Sequence, residues 1–200
     1  MERIEDCTGV LVAGGRARRM GGASKGFARL RGEPIAARSL ALFRSLFDEV
    51  LVVANDPAPW QALGARVVPD AIPGKGAPGG LHAALRASRT GWIFAAACDM
   101  PFLAEEPIRR LAARRGAEGA VVVAWERGLE GLHAFWSREA LPTVERMLAA
   151  GDPSLREIAA AVGARVVPER EWRLVDPEGR SFENANTPDD LRRLGLLPPE

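Results

Sequence analysis

The chain has 200 residues, enough for one domain of ordinary size with a real core, and 47% of them are hydrophobic and 26% charged, which are globular values. A net charge of +1 argues against a general nucleic-acid binder or a membrane-surface protein. Two cysteines, Cys7 and Cys98, make no disulfide framework, and no Cys/His metal spacing occurs. The start, MERIED, lacks a signal-peptide core, and no apolar run approaches a membrane span, so the expectation is a cytoplasmic protein that binds neither nucleic acid nor membrane.

Short apolar runs alternate with helical patterns. Strands are predicted at Thr8–Ala13, Glu49–Ala54, Ala65–Val68, Trp92–Ala97, Ala120–Trp125, Leu132–Trp136 and Arg165–Val167. Helices are predicted at Pro34–Phe47, Ala58–Leu63, Gly79–Ser88, Glu105–Arg115, Arg138–Ala150, Ser154–Val162 and Pro188–Leu194. Runs such as VLVVA suggest strands covered on both faces. The alternation implies a three-layer α/β/α sandwich, Rossmann-like, with a mostly parallel central sheet, over residues 1–200 as one domain. A hairpin near Glu126–Gly131 starts a more antiparallel part. Ligands of such sheets bind beyond the carboxyl ends of the strands, so the loops that matter are 14–26, 55–57, 69–80 and 98–103.

The first of these loops carries the strongest chemistry. LVAGGRARRMGGASKG at 11–26 pairs glycines (Gly14 with Gly15, Gly21 with Gly22) with Arg16, Arg18, Arg19 and Lys25. Backbone amides and cations after a strand cradle phosphates. A solvated basic loop is the plainer reading. Lysine itself is rare here: Lys25 and Lys75 are the only two, both in glycine-rich loops. The loop is neither a P-loop, because Gly26 follows Lys25, nor a GxGxxG turn. Lys25 and an arginine would neutralise a reacting phosphate.

Asp99 ends an apolar strand in AAACDMPF, where a single carboxylate suits Mg²⁺, which takes few carboxylates plus phosphate oxygens. A turn aspartate before Pro101 is the alternative. Asp70, at the end of VVPD, either holds a base or ribose or is a turn residue. Lys75 either reaches phosphates or is solvated. Asn184 and Asn186 precede Thr187-Pro188-Asp189-Asp190, which has the form of a capped helix start. The cap does not explain the asparagines, one of which could join Asp99 at the metal. His82, on a helix, and His133, on a strand among apolar neighbours, read as structural. The chain offers cations, amides and a carboxylate but no evident nucleophile or base. Transfer between groups already ionised needs little more.

These residues resemble the molybdenum cofactor guanylyltransferase family, within the sugar-nucleotide-transferase-like nucleotidyltransferases. The matching strings are VLVAGGRARRMGGASKGFARLRGEPI at 10–35, VVPD at 67–70, PGKGAPGGL at 73–81, CDMPFL at 98–103 and NANTPDDL at 184–191. The resemblance implies GMP transfer from GTP to the terminal phosphate of molybdopterin (Mo-molybdopterin), with release of pyrophosphate and with Mg²⁺ as cofactor. Val12, Ala13, Gly14, Gly15, Lys25, Asn55, Asp70 and Asp99 would bind the nucleotide. Lys25, Asp99 and Arg19 would be catalytic, and Asp99, with Asn184 or Asn186, would hold the metal. Arg19, Gly22 and Arg156 are the candidate molybdopterin contacts. Other molybdenum-cofactor biosynthesis proteins and apo-molybdoenzymes are the candidate protein partners. Ser24 stands where the family commonly has Asp, and GPLxG appears as Gly76-Ala77-Pro78-Gly79-Gly80. A cytidylyltransferase for molybdopterin, another NTP-dependent nucleotidyltransferase and a nucleotide-binding regulatory module are the alternatives.

Overall fold

The computed structural model describes residues 2–13, 25–72, 74–126 and 128–199. Gly14, Gly15, Arg19, Gly22 and Ser24 lie outside the described residues, as does the side chain of Lys25.

A seven-stranded sheet forms the middle layer. Its strands are β1 (Cys7–Val12), β4 (Glu49–Val53), β5 (Arg66–Val68), β6 (Trp92–Ala97), β7 (Ala120–Trp125), β8 (Gly128–Ser137) and β9 (Arg165–Val167), in spatial order β5-β4-β1-β6-β8-β7-β9. β8 runs antiparallel to both its neighbours, and the remaining pairs are parallel. The expected mostly parallel sheet and the antiparallel hairpin after Trp125 are thus both present.

The strands feed two cores because successive side chains point to opposite faces. Cys7 and Leu11 of β1, Phe94 of β6 and Phe135 of β8 enter one cluster. There they meet Leu40 and Phe43 of α1 (Ile35–Leu46), Ile108 and Leu111 of α4 (Glu105–Ala112), and Trp172 of α7 (Glu169–Trp172). Val10 and Val12, Ile93 and Trp136 enter the other. Their partners are Leu81 and Leu85 of α3 (Gly76–Ala87), Val144 and Leu148 of α5 (Leu141–Ala150), and Ile158 of α6 (Leu155–Ala161). A short α2 (Ala58–Gln61) buries Trp60 beneath the edge.

α3 starts three residues earlier than its apolar pattern suggests, so Gly76–Gly80 forms helix rather than loop. The predicted helix Arg138–Ala150 divides into a 3₁₀ turn, Arg138–Ala140, and α5. Three two-residue strands, β2 (Arg29–Leu30), β3 (Glu33–Pro34) and β10 (Leu196–Leu197), form a second sheet absent from the sequence reading. α8 (Pro188–Leu194) packs there: Leu191 and Ala185 join Ala28, Ile35 and Leu196 in a third cluster. This cluster brings the carboxyl-terminal segment back to the residues that follow the first loop. No helix among the described residues is long and apolar enough to cross a membrane.

β8 carries an irregularity that matters for stability. Pairing with β7 jumps from Phe135 opposite Val121 to Glu130 opposite Val123, so the intervening residues bulge. His133 sits in this bulge at φ +94°, fully buried, its ring edge-on to Phe94, Trp172 and Phe182 at centroid distances of 5.2, 5.7 and 5.3 Å. Neither ring nitrogen has a hydrogen-bond partner among the described residues. Burial therefore pushes its pKa down from 6.5 to about 4, opposed by its own backbone carbonyl and by the Asp176 charge. The unfolded chain takes up this proton near pH 6.5 and the folded chain only near pH 4. Stability is thus fully present above pH 6.5 and falls as the pH drops from there toward 4, by up to about 3 kcal/mol. Urea unfolding of the wild-type and His133→Phe chains across this range checks it. The variant is expected to lose that part of the slope, and parallel slopes would contradict the assignment.

Candidate active site

The carboxyl ends of β1, β4, β5 and β6 meet at one edge, where hydrogen bonds extend the ladders past the strands. Ala13 N donates to Val53 O (2.8 Å), Ala54 N to Val68 O (3.0 Å) and Cys98 N to Val12 O (3.2 Å). Val12, Ala13, Asn55, Asp70 and Asp99 all emerge at this edge. The strand pattern put Asp70 and Asp99 at strand ends and Asn55 in a strand-end loop, as the structure does, whereas Val12 and Ala13 came from the resemblance.

Asn55 and Asp70 hold each other. Asn55 Oδ1 accepts from Asp70 N at 3.1 Å, and Asp70 Oδ1 accepts from Ile72 N at 3.0 Å. Asp70 is buried, with its carboxylate against the first turns of α3. A side-chain carbon at Gly79 would stand 3.0 Å from both carboxylate oxygens, so glycine is what lets helix and carboxylate approach. The amino end of a helix favours negative charge. These bonds give the turn reading of Asp70 its structural basis.

Lys75 is not directed at this edge as a free cation. Its Nζ donates to Gly151 O at 2.8 Å and to the Asp152 carboxylate at 2.5 Å. It fastens the turn after α5 to the loop after Asp70. That turn leads into α6, capped by Ser154 and Glu157, where Arg156 is exposed in the first turn, on a different element from Asp99.

Asp99 is half-buried at the tip of β6. Its carbonyl accepts from Ala185 N at 2.9 Å, which seats the Asn184–Asn186 segment directly beside it. The sequence suggested that an asparagine joins Asp99, and this backbone bond brings the two segments together. Asn184 Nδ2 donates to Phe182 O at 2.8 Å, leaving its Oδ1 as an oxygen donor. Asn186 N and Thr187 N both donate to Asp190 Oδ2, and Asp190 N returns to Thr187 Oγ1. The predicted helix cap is therefore present. Burial, the largest single effect, pushes the Asp190 carboxyl up, and the hydrogen bonds from Thr187, Asn186 and Arg193 together outweigh it and hold it below the usual carboxylate range.

The first loop rejoins the described chain at this place. Lys25–Phe27 forms a 3₁₀ turn. A side-chain carbon at Gly26 would lie 3.0 Å from the Cys98 carbonyl oxygen and 3.1 Å from the Trp60 ring, so the turn rests directly on the residue before Asp99. The backbone of Lys25 is thereby delivered next to the Asp99 strand tip.

One contributor was missed from sequence. Asp176 is buried, and its carboxylate accepts from Arg180 N (3.0 Å), Ser181 N (2.8 Å) and Ser181 Oγ (2.6 Å). It ties down the turn that leads into Asn184 and Ala185. The string VDPEGRS held the signal, an Asp-Pro-x-Gly turn with a hydroxyl just beyond it.

Among the described residues no group of three or more His, Cys, Asp or Glu side chains gathers as a metal cluster. The donors near the edge are oxygens, the kind a hard divalent cation takes when phosphates and waters complete its shell.

Residues 9–170 match the model of the MobA-like NTP transferase domain. The molybdenum cofactor guanylyltransferase of Desulfosudis oleivorans is 33% identical over 193 residues, 95% of each chain. A probable molybdenum cofactor guanylyltransferase of Chloroflexus aggregans is 38% identical, covering 92% of this chain and 91% of its own. The crystal structure of molybdopterin-guanine dinucleotide biosynthesis protein A from Archaeoglobus fulgidus superposes with a TM-score of 0.77 at 27% identity, over 94% of this chain and 95% of that one. By this match and these identities the chain belongs to the molybdenum cofactor guanylyltransferases, in the family of MobA-like NTP transferase domains.

Proposed function

We propose that the edge formed by Val12, Ala13, Asn55, Asp70 and Asp99 carries GMP transfer from GTP to the terminal phosphate of molybdopterin. An oxygen of the acceptor phosphate attacks the α-phosphorus, the bond to the β-phosphate oxygen breaks, and pyrophosphate leaves. The attacking group is already ionised, so the chain needs no nucleophile or base of its own. The observation that carries this reading is the bond from Ala185 N to Asp99 O, which sets a strand-tip carboxylate beside amide oxygens in a chain whose relatives bear the guanylyltransferase name.

Each residue has a distinct part. Asp70 and Asn55 brace the nucleoside side of the edge. Gly14 and Gly15 would offer amides to the phosphates, and Lys25 and Arg19 would offset charge on the leaving pyrophosphate. Asp99, with Asn184 or Asn186, would hold Mg²⁺, which when bound neutralises phosphate oxygens. Arg19, Gly22 and Arg156 are the proposed contacts for the acceptor. Molybdenum-cofactor biosynthesis proteins and apo-molybdoenzymes are the proposed protein partners.

The test is a competition of GTP, CTP and ATP with Mo-molybdopterin and Mg²⁺, reading pyrophosphate. GTP is expected to be consumed by preference. Preference for CTP would make the chain a cytidylyltransferase, and nucleotide binding without pyrophosphate would make it a binding module.

A further inference from the structure

A cavity of about 470 Å³ opens beside the loop that follows Asp99, and none of Val12, Ala13, Asn55 or Asp70 lines it. Pro101 and Phe102 form part of its wall, Val175 and Arg180 another part, and Arg31 and Arg38 reach it from the β2–β3 turn and from α1. The residues around it bring three guanidinium groups and one carboxylate, Asp176. That carboxylate already accepts the hydrogen bonds of Arg180 N and Ser181, so it is occupied by the backbone turn. Arg38 pairs with Glu33 at 3.2 Å. Arg31 and Arg180 have no carboxylate partner among the described residues.

The Arg180 guanidinium carbon lies 4.4 Å from the centre of the Phe102 ring. Such stacking leaves the N–H edge of the guanidinium open to an anion. Arg31 is held at φ +53° in its tight turn, which fixes where its side chain departs. Two guanidinium groups outside any described ion pair, against the single charge of Asp176, leave the aromatic and apolar wall with net positive charge, which matches a flat ring that carries phosphate, since guanidinium groups grip phosphate through paired hydrogen bonds.

We propose that this cavity binds a phosphorylated planar heterocycle, its ring against Phe102 and Arg180 and its phosphate between Arg31 and Arg180. Two sources share that chemistry. One is the pterin acceptor of the reaction, in which case the inference rests on the guanylyltransferase reading and Arg31 and Arg180 take the place of Arg156 as its phosphate contacts. The other is a free guanine nucleotide acting as an effector.

Calorimetric titration of the full chain with molybdopterin, with GMP and with inorganic phosphate tests it, comparing wild type with the Arg31→Gln/Arg180→Gln double variant. Affinity for one heterocyclic phosphate is expected to fall about tenfold or more, the scale of one lost charge-assisted hydrogen bond. Arg180→Glu should weaken the same ligand further. Loss confined to molybdopterin identifies the acceptor, and loss confined to GMP identifies an effector. Unchanged affinity for both, or a loss matched by inorganic phosphate alone, overturns the proposal. Both side chains are free of described ion pairs, and a melting curve confirms that the variants fold. Absence of pyrophosphate release by the wild type would remove the guanylyltransferase reading yet leave the binding result standing.

Discussion

Asp99→Ala is expected to lower kcat for pyrophosphate release by on the order of 10³-fold, the scale of deleting one preorganised charge contact at a reacting centre. The loss arises from the carboxylate alone. The Asp99 carbonyl would still accept from Ala185 N, so the Asn184–Asn186 segment keeps its seat. Because the side chain is only half-buried, the melting midpoint should move by no more than a few degrees. Asp99→Asn retains the shape and removes the charge, and it should fall nearly as far. Activity measured against Mg²⁺ concentration separates the causes. A carboxylate that holds the cation gives a variant partly recovered at high Mg²⁺, whereas one that only shapes the loop gives a flat response. Near-normal turnover of Asp99→Ala at ordinary Mg²⁺ would refute its place at the reaction centre.

The Asp99 tip was legible because β6 is a continuous apolar run stopped by Asp-Met-Pro, and burial on both faces leaves such a strand no other arrangement. The same logic located Asp70 and the α8 cap, whose bonds are local. What was not legible depends on distant partners. Lys75 looks like a phosphate ligand in PGKG, yet its ammonium is taken by Gly151 and Asp152, some 75 residues away. Strands of two residues carry no periodicity, so β2, β3 and β10 could not be read. Nor could the stretch from α7 to Phe182, which is organised by a cage of His133, Trp172 and Phe182 assembled across the sheet. The bulge that aims His133 into that cage has no local sequence signal beyond an isolated histidine among apolar residues.

Asp176→Ala is expected to destabilise the chain by about 4 kcal/mol, because it strands three donors at once, two of them on buried Ser181, and each bond to a charged acceptor is worth roughly 1.5–3 kcal/mol. In a chain of this size that lowers the melting midpoint by about 10 °C or more. The effect should reach the site as well. The turn held by Asp176 runs through Phe182 to Asn184 and to the Ala185 amide that bonds Asp99, so loosening it frees the asparagine segment to shift. Turnover per folded molecule is therefore expected to fall about tenfold below the melting transition, the scale of a sub-ångström misplacement. Asp176→Asn keeps one acceptor oxygen and should lie between wild type and Asp176→Ala in both stability and kcat. Denaturant unfolding gives the first quantity, and pyrophosphate release at saturating substrate, corrected for the folded fraction, gives the second. A variant that loses stability while its corrected kcat stays at the wild-type value would make Asp176 a fold residue only. Parallel loss of both, graded through Asn to Ala, would establish it as the residue that positions the segment beside Asp99.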